Sequence, residues 1–347
     1  MNILQAVVRL RFFLPTPSLT SMPGRHHRFV VTLTRRLPEA VEARLAARYD
    51  LARNGDDRAL GADAIVAAMN ASDAIVSTLG DPLTAEVLNA GSGRCRLIAH
   101  FGVGYDNIDV AAAKERGIAV TNTPGVLTDD TADMTILLLL AAARRATEGM
   151  REIQYGTWSG WRPTHLLGQR LSGNTLGIVG FGRIGRAVAQ RAAAGFGMHV
   201  QAWSRSLGVT EAAAVGVIRC ETLDMLLATS DFVSLHVPRT PETHHLIGAQ
   251  RLSLLQRHAI LVNTARGDVI DQAALIDALS RKTFAAAGLD VFEGEPTVPE
   301  ALSALPNVFA LPHIGSATVE TRTAMGNLTA DNLDAFFDGR PLPNPVN

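Results

Sequence analysis

The turn Gly180-Phe181-Gly182-Arg183-Ile184-Gly185 limits what this chain can fold into more than any other segment. It follows an apolar stretch, residues 175–179, and opens an amphipathic run over 186–194. A strand that passes into a helix through glycines at these spacings is the first connection of a βαβ unit. Gly180 permits the tight turn, Gly182 lets backbone approach a pyrophosphate, and Gly185 lets the helix pack close to the strand. The N–H groups and dipole at the helix start then favour an anion. A lone G-x-G-x-x-G is a weak signal; its strand and helix context makes this one specific.

The remaining chain repeats that alternation, with β-branched runs separated by helical ones, the pattern of parallel sheet covered by helices. Strands are predicted at 28–33, 73–77, 96–101 and 118–121 in the first half. In the second half they fall at 175–179, 199–203, 232–236, 259–263, 286–290 and 308–311. One long helix is predicted from about 129 to 155, then an irregular stretch over 156–173 holding Trp158, Trp161 and Pro163. A last helix is predicted over 318–337. No repeat of fixed period interrupts this order.

With 347 residues the length favours two domains, each able to bury a core. A formal net charge of -1 leaves no electrostatic footprint for nucleic acid or an anionic membrane. The longest apolar run, residues 134–143, is half of what a bilayer requires and reads as a buried helix. Cys95 and Cys220 are too few and too far apart for a disulfide framework or zinc knuckle, which suits a reducing cytoplasm. No histidine spacing suggests zinc, so no metal is expected. Residues 1–24 carry Arg9 and Arg11 among broken apolar patches with Pro15 and Pro17, unlike a signal peptide, and are expected to form a disordered extension.

Nineteen residues past Gly185, where an acidic side chain would hold the ribose 2′-hydroxyl of NAD, the chain has Ser204-Arg205-Ser206. No carboxylate there repels a phosphate. Arg205 can pair with a 2′-phosphate through charge-assisted hydrogen bonds, with the serines adding donors, so NADPH is expected ahead of NADH.

Downstream of that site three segments end in a cation, a carboxylate and an imidazole, each at the lip of an expected strand: Arg266 with Gly267, Glu295 before Pro296, and His313 after Pro312. A guanidinium orients a carboxylate bidentately and polarises a carbonyl, and an imidazole supplies a proton to the developing alkoxide. An unperturbed imidazole titrates near 6.5, and a neighbouring carboxylate favours its protonated form. A dinucleotide site with this set suits reduction of a 2-keto acid. Glu293, two residues earlier, competes with Glu295 for the carboxylate role.

These motifs, together with Phe101-Gly102-Val103-Gly104-Tyr105-Asp106-Asn107-Ile108-Asp109, Thr123-Pro124-Gly125-Val126-Leu127-Thr128 and Leu235-His236-Val237-Pro238, resemble the D-isomer-specific 2-hydroxyacid dehydrogenase family. Within it the likeness is to the glyoxylate/hydroxypyruvate reductase branch, from about residue 25 onward. The resemblance implies an α/β fold with two Rossmann-like domains, the cofactor domain inserted into a discontinuous substrate domain. Boundaries are expected at 25–124 with 317–347 for the substrate domain and at 125–316 for the dinucleotide-binding domain.

The resemblance also implies roles. Arg266, Glu295 and His313 would be catalytic, with Glu295 chosen over Glu293 because the family acid directly precedes the proline. Backbone at Val103 and Gly104 would receive the substrate carboxylate. Cofactor contacts would come from Gly180, Gly182, Arg183, Ile184, Gly185, Ser204, Arg205, Ser206, Val237, Pro238, Thr264 and Asp290, the last facing the nicotinamide carboxamide. Trp161 resembles an aromatic that reaches a partner subunit's substrate site, so a homodimer is expected. His100 stands where relatives often carry a small polar residue. The expected activity is reduction of glyoxylate or hydroxypyruvate to a D-2-hydroxy acid by NADPH, with NAD as the other cofactor. Formate dehydrogenases carry glutamine before that proline, and phosphoglycerate dehydrogenases keep an acidic residue near Ser204. Phosphite dehydrogenase and a non-enzymatic corepressor-like dinucleotide sensor complete the alternatives.

Overall fold

The computed structural model describes residues 28–347, and the extension expected over 1–24 lies outside them. Chain contacts divide the protein into two compact units, one of residues up to Thr123 with Met325–Asn347, the other Pro124–Ala324.

In the first unit the order is β1 (Val30–Leu33), α1 (Glu39–Arg48), β2 (Asp50–Arg53), α2 (Ala62–Ala71), β3 (Ala74–Ser77), α3 (Ala85–Ala90), β4 (Leu97–His100), α4 (Val110–Glu115) and β5 (Ala119–Thr121). The strands pair in parallel as β2-β1-β3-β4-β5. β3 and β4 are buried throughout, and Ile75, Ile98 and Val120 pack with Ile65, Met69 and Leu88 of the helices into one core.

The second unit holds α5 (Thr128–Ala143), α6 (Ala146–Gln154), β6 (Thr175–Val179), α7 (Arg183–Phe196), β7 (His199–Trp203), α8 (Val209–Ala214), β8 (Ile218–Arg219), α9 (Leu223–Thr229), β9 (Phe232–Leu235), α10 (Ala249–Leu252), β10 (Ile260–Asn263), α11 (Gln272–Ser280), β11 (Ala286–Leu289), α12 (Glu300–Ser303) and β12 (Val308–Ala310). The division between the units falls inside the last helix, α13 (Val319–Phe337).

Seven parallel strands are ordered β12-β11-β10-β9-β6-β7-β8. Alternate residues serve two cores, as a sheet with helices on both faces requires. Leu176, Ile178, Phe232, Ile260 and Val262 face one with Leu138 and Val188, while Val179, Val233, Leu235 and Leu261 face the other with Leu226 and Leu275. The strand order reverses between β6 and β9, so a ligand crevice is expected outside their carboxyl ends.

Two expectations are corrected. The helix predicted over 129–155 is two, broken where Arg145 turns left-handed at φ +55°. Nothing local dictates the break; Gln169 N–H bonds the Ala143 carbonyl, and the returning chain packs Gly168 against that turn, where a Cβ would strike Ala143 backbone. Two edge strands, β2 and β8, also escape the pattern, because their side chains are largely exposed.

Candidate active site

The carboxyl end of β6 runs into the glycine turn. Gly180 has φ +94°, and its N–H bonds the Trp203 carbonyl at 2.9 Å. A Cβ there would meet the His236 carbonyl at 2.5 Å, and one on Gly185 would strike the Gly180 carbonyl. Both glycines are therefore demanded by close backbone packing. Gly182 differs: a Cβ would meet no atom within 4 Å, so the space beside it is open. Gly182 is also the N-cap of α7 and offers no side-chain cap. An anion accepting from the first N–H groups of α7 would complete that helix start, so these residues fit a dinucleotide pyrophosphate. Arg183 is exposed at this end, and Ile184 is half-buried, packed against the core.

β9 leads into His236-Val237-Pro238 beside this turn. Burial pushes the His236 imidazole down to about 3, so it stays uncharged beside the glycine turn at physiological pH. At the tip of β7, Ser204 is half-buried while Arg205 and Ser206 are exposed. The charge of Arg205 reaches Glu242, whose carboxyl is held below its ordinary range chiefly by the Thr240 hydroxyl. Glu242 lies in a loop whose sequence gives no sign of this approach.

Three neighbouring strands, β10, β11 and β12, deliver the remaining groups. After β10, the buried Asn263 braces the turn: its Oδ1 accepts from Ala265 N at 2.9 Å and its Nδ2 donates to the Arg266 carbonyl at 2.8 Å. A Cβ at Gly267 would collide with the Phe292 and Glu293 backbone, so glycine allows the Arg266 turn to lie directly on the Glu295 loop. Thr264 meets Thr135 of α5, hydroxyl to hydroxyl, at 3.0 Å. Thr135 already donates to the Thr131 carbonyl, so Thr264 is the donor.

Glu295 and His313 meet. Nδ1 of His313 lies 2.7 Å from Glu295 Oε2, and the other carboxylate oxygen accepts from Phe292 N at 2.8 Å. A carboxylate only accepts, so Nδ1 carries the hydrogen and Nε2 is left as the outward nitrogen. Burial works to raise the Glu295 carboxyl, but the hydrogen bond and charge of His313, the Phe292 amide and the charge of Arg266 outweigh it and hold it low. Glu293 is turned elsewhere, its Oε1 3.0 Å from His245 Nε2.

His313 sits at φ +54°, in the left-handed region that costs an L-residue energy unless its surroundings enforce it. Asp290, at the end of β11, does the enforcing. Its carbonyl accepts His313 N at 2.8 Å, and its carboxylate oxygens take Ile314 N at 2.8 Å and Gly315 N at 2.7 Å. The side chain is 1 % exposed, and burial raises its carboxyl against the pull of those amides and His313. Asp290 is thus the anchor of the histidine turn, a duty the sequence did not suggest. Arg322 of α13 was missed too; burial lowers its guanidinium despite the opposing charge of Asp290.

Removing the Glu295 charge has a directional consequence. In a Glu295→Gln variant kcat/KM for the keto acid should fall by about tenfold or more, because the imidazole loses the carboxylate that orients its ring and stabilises its charge. Its stability should change on the acid side as well. An unfolded glutamate titrates near 4.3. The folded carboxyl lies below that, so its stabilisation is complete above this range and is lost as pH falls through the folded value. Unfolding of both proteins measured from pH 7 to pH 3 should converge as the pH falls.

The substrate-binding expectations fall in different places. Trp161 belongs to the second unit and is 82 % exposed. Val103 and Gly104 belong to the first, in the loop after β4. There the Gly102 carbonyl accepts from Thr123 N at 2.9 Å, the Val103 carbonyl from Asn122 Nδ2 at 2.8 Å, and the Gly104 carbonyl meets His100 Nε2 at 3.0 Å. In a trans peptide the N–H points opposite its own carbonyl. The N–H groups of Val103, Gly104 and Tyr105 therefore each point opposite an anchored carbonyl.

Among the described residues, no three His, Cys, Asp or Glu side chains gather closely enough to hold a metal ion, and no helix is long and apolar enough to cross a membrane.

A sheet edge that fits a dinucleotide and sets a carboxylate-backed imidazole near an arginine belongs to a nicotinamide-dependent oxidoreductase. Comparison with known proteins narrows this. The family described as D-isomer specific 2-hydroxyacid dehydrogenase, NAD binding domain, matches residues 136–315. The chain is similar to the glyoxylate reductase of Korarchaeum cryptofilum, 47 % identical over 91 % of this chain and 95 % of that protein. It is 40 % identical to the glycerate dehydrogenase of Hyphomicrobium methylovorum over 90 % of this chain and 97 % of that one. Among solved structures it resembles the NADPH-dependent glyoxylate/hydroxypyruvate reductase of Sinorhizobium meliloti in complex with NADP and malonate, at TM-score 0.81 and 38 % identity, covering 92 % and 97 % of the two chains. This chain belongs to the D-isomer-specific 2-hydroxyacid dehydrogenase family.

Proposed function

We propose that this protein reduces a small 2-keto acid, glyoxylate or hydroxypyruvate, to the D-2-hydroxy acid, using NADPH ahead of NADH. The observation that carries the reading is the His313–Glu295 pair, whose outward Nε2 stands on the same sheet edge as the glycine turn. Held at the glycine turn of Gly180, Gly182 and Gly185, a nicotinamide cofactor would supply the hydride. Arg266 orients the substrate carboxylate and polarises the carbonyl oxygen. As charge collects on that oxygen, His313 Nε2 gives up its proton to it, and Glu295 stabilises the imidazolium before transfer. Backbone N–H groups at Val103 and Gly104 receive the substrate carboxylate. The relatives' activities and the bound NADP and malonate of one of them support this assignment.

Ser204, Arg205 and Ser206 hold the 2′-phosphate of NADPH, with Val237 and Pro238 beside the adenine. Arg205→Ala should raise KM for NADPH about tenfold or more and leave NADH nearly unchanged, the cost of one charge-assisted contact. The protein works as a cytoplasmic homodimer in this reading. Ile153, Tyr155, Trp158 and Trp161, all more than half exposed, supply an apolar face for a second copy, and both cysteines are free.

Steady-state turnover of glyoxylate, hydroxypyruvate and pyruvate, each with NADPH and NADH, tests the assignment. Turnover of the first two with NADPH preferred is expected. Equal use of NADH would remove the phosphate role of Arg205, and absence of any turnover despite cofactor binding would overturn the enzymatic reading.

A further inference from the structure

His100 ends β4 and is 1 % exposed, yet it is a polar side chain with two ring nitrogens to satisfy. Both are met. Nδ1 lies 3.0 Å from the hydroxyl of Ser77, its register partner on β3, and Nε2 lies 3.0 Å from the Gly104 carbonyl. A carbonyl only accepts, so Nε2 carries a hydrogen, and the Ser77 hydroxyl can donate to Nδ1. The ring also fills the space beside Gly102, where a Cβ would come within 2.7 Å of Nε2. The Gly104 carbonyl belongs to the peptide whose N–H is that of Tyr105, and this N–H points opposite it. Asn122 and Thr123 fix the two preceding peptides in the same way.

We propose that His100 is a positioning residue for substrate binding: its Nε2–H holds the Gly104 carbonyl and so aims the Tyr105 N–H, beside those of Val103 and Gly104, at the substrate carboxylate. The inference rests on the proposed reduction of 2-keto acids and on that loop receiving the carboxylate. It adds a third donor to the cradle and assigns its orientation to an imidazole held in one tautomer by Ser77. Binding to the carboxylate is shared by ground and transition states, so the role shows in KM rather than in kcat.

Three variants test it. The terminal amide of a glutamine reaches where Nε2 stands, whereas that of an asparagine stops near Nδ1. His100→Asn and His100→Ala should raise KM for glyoxylate about tenfold or more, as for loss of one oriented hydrogen bond. Their kcat should stay within about threefold and their NADPH affinity should not change, while His100→Gln should restore a KM close to that of the parent. An unchanged KM in the asparagine variant, or a glutamine variant as impaired as the alanine one, would overturn the proposal. If the alanine variant does not fold, the glutamine–asparagine contrast still decides. Nitrogen-15 spectra of the unmodified protein give an independent answer, since an unprotonated Nε2 on His100 excludes the proposed bond. A parent enzyme inactive on every 2-keto acid would instead sink the assigned reaction, and an active parent with indifferent variants would sink only the role of His100.

Discussion

Replacing His313 by alanine should lower kcat for glyoxylate by about 10²–10⁴-fold, the range expected for loss of a positioned general acid. Binding of NADPH, followed by fluorescence titration, should be nearly unchanged. The expected separation of effects comes from placement. The glycine turn proposed to hold the cofactor is built from β6, α7 and the end of β9, and none of its close approaches involves His313. The imidazole is held instead by Glu295 and by the Asp290 turn, at the ends of β11 and β12. A His313→Ala enzyme retaining full turnover would remove the proton donor from the scheme. A variant that lost cofactor binding in equal measure would point to collapse of the turn rather than missing chemistry, and melting curves would separate the two.

Arg266→Ala should reduce kcat/KM for the keto acid by about 10²–10³-fold, the cost of removing a donor aimed at developing charge. Arg266→Lys should recover only part of that, because an ammonium keeps the charge and loses the planar fork. Asn263 and Gly267 shape the backbone here and the arginine side chain adds a bond from Nη1 to the Ala265 carbonyl at 2.9 Å, so the turn should survive either change. The lysine variant therefore isolates bidentate geometry from charge. Full activity in Arg266→Lys would mean that the guanidinium acts only as a point charge.

Much of this architecture was legible in the residues because parallel strands covered on both faces read as continuous apolar runs. β3, β4, β6, β9, β10 and β11 are of this kind, and their expected limits differ from the observed ones by a residue or so. Edge strands lack that signal: β2, Asp50–Arg53, carries an exposed residue at each end, and β8 is exposed at both positions. The helix break at Arg145 was invisible for a different reason. Its cause, the approach of Gly168 and Gln169 to Ala143, lies more than twenty positions away and leaves no glycine or proline at the break itself.

The site divides similarly. Arg266 and His313 lie three residues past the ends of β10 and β12, so a residue type just beyond an apolar strand singled them out. Glu293 and Glu295 could not be told apart by physics on sequence alone, since both lie in one loop; only geometry pairs one with His313 and the other with His245. Asp290 was noticed for a cofactor contact, while its grip on the histidine turn depends on which amides the chain brings back to it. Arg322 and Glu242 act through space on groups far off in the chain, and no local spacing betrays them.

The division of the chain into a continuous unit and a split one dictates an order of assembly. During synthesis, β1 to β5 emerge first, but the piece that completes them is not yet made. Phe337 stacks on Phe29 at 4.1 Å, Tyr49 donates to Asp334 at 2.7 Å, and Asn347 accepts from Val120 N at 2.9 Å, so all three contacts wait for the end of the chain. About 200 residues separate Thr123 from Met325. At roughly 5–20 residues per second, the earliest strands wait some 10–40 s while the inserted unit is being made. The unit begun first is thus the last to be completed, and its nascent sheet needs shelter from other chains in the interval.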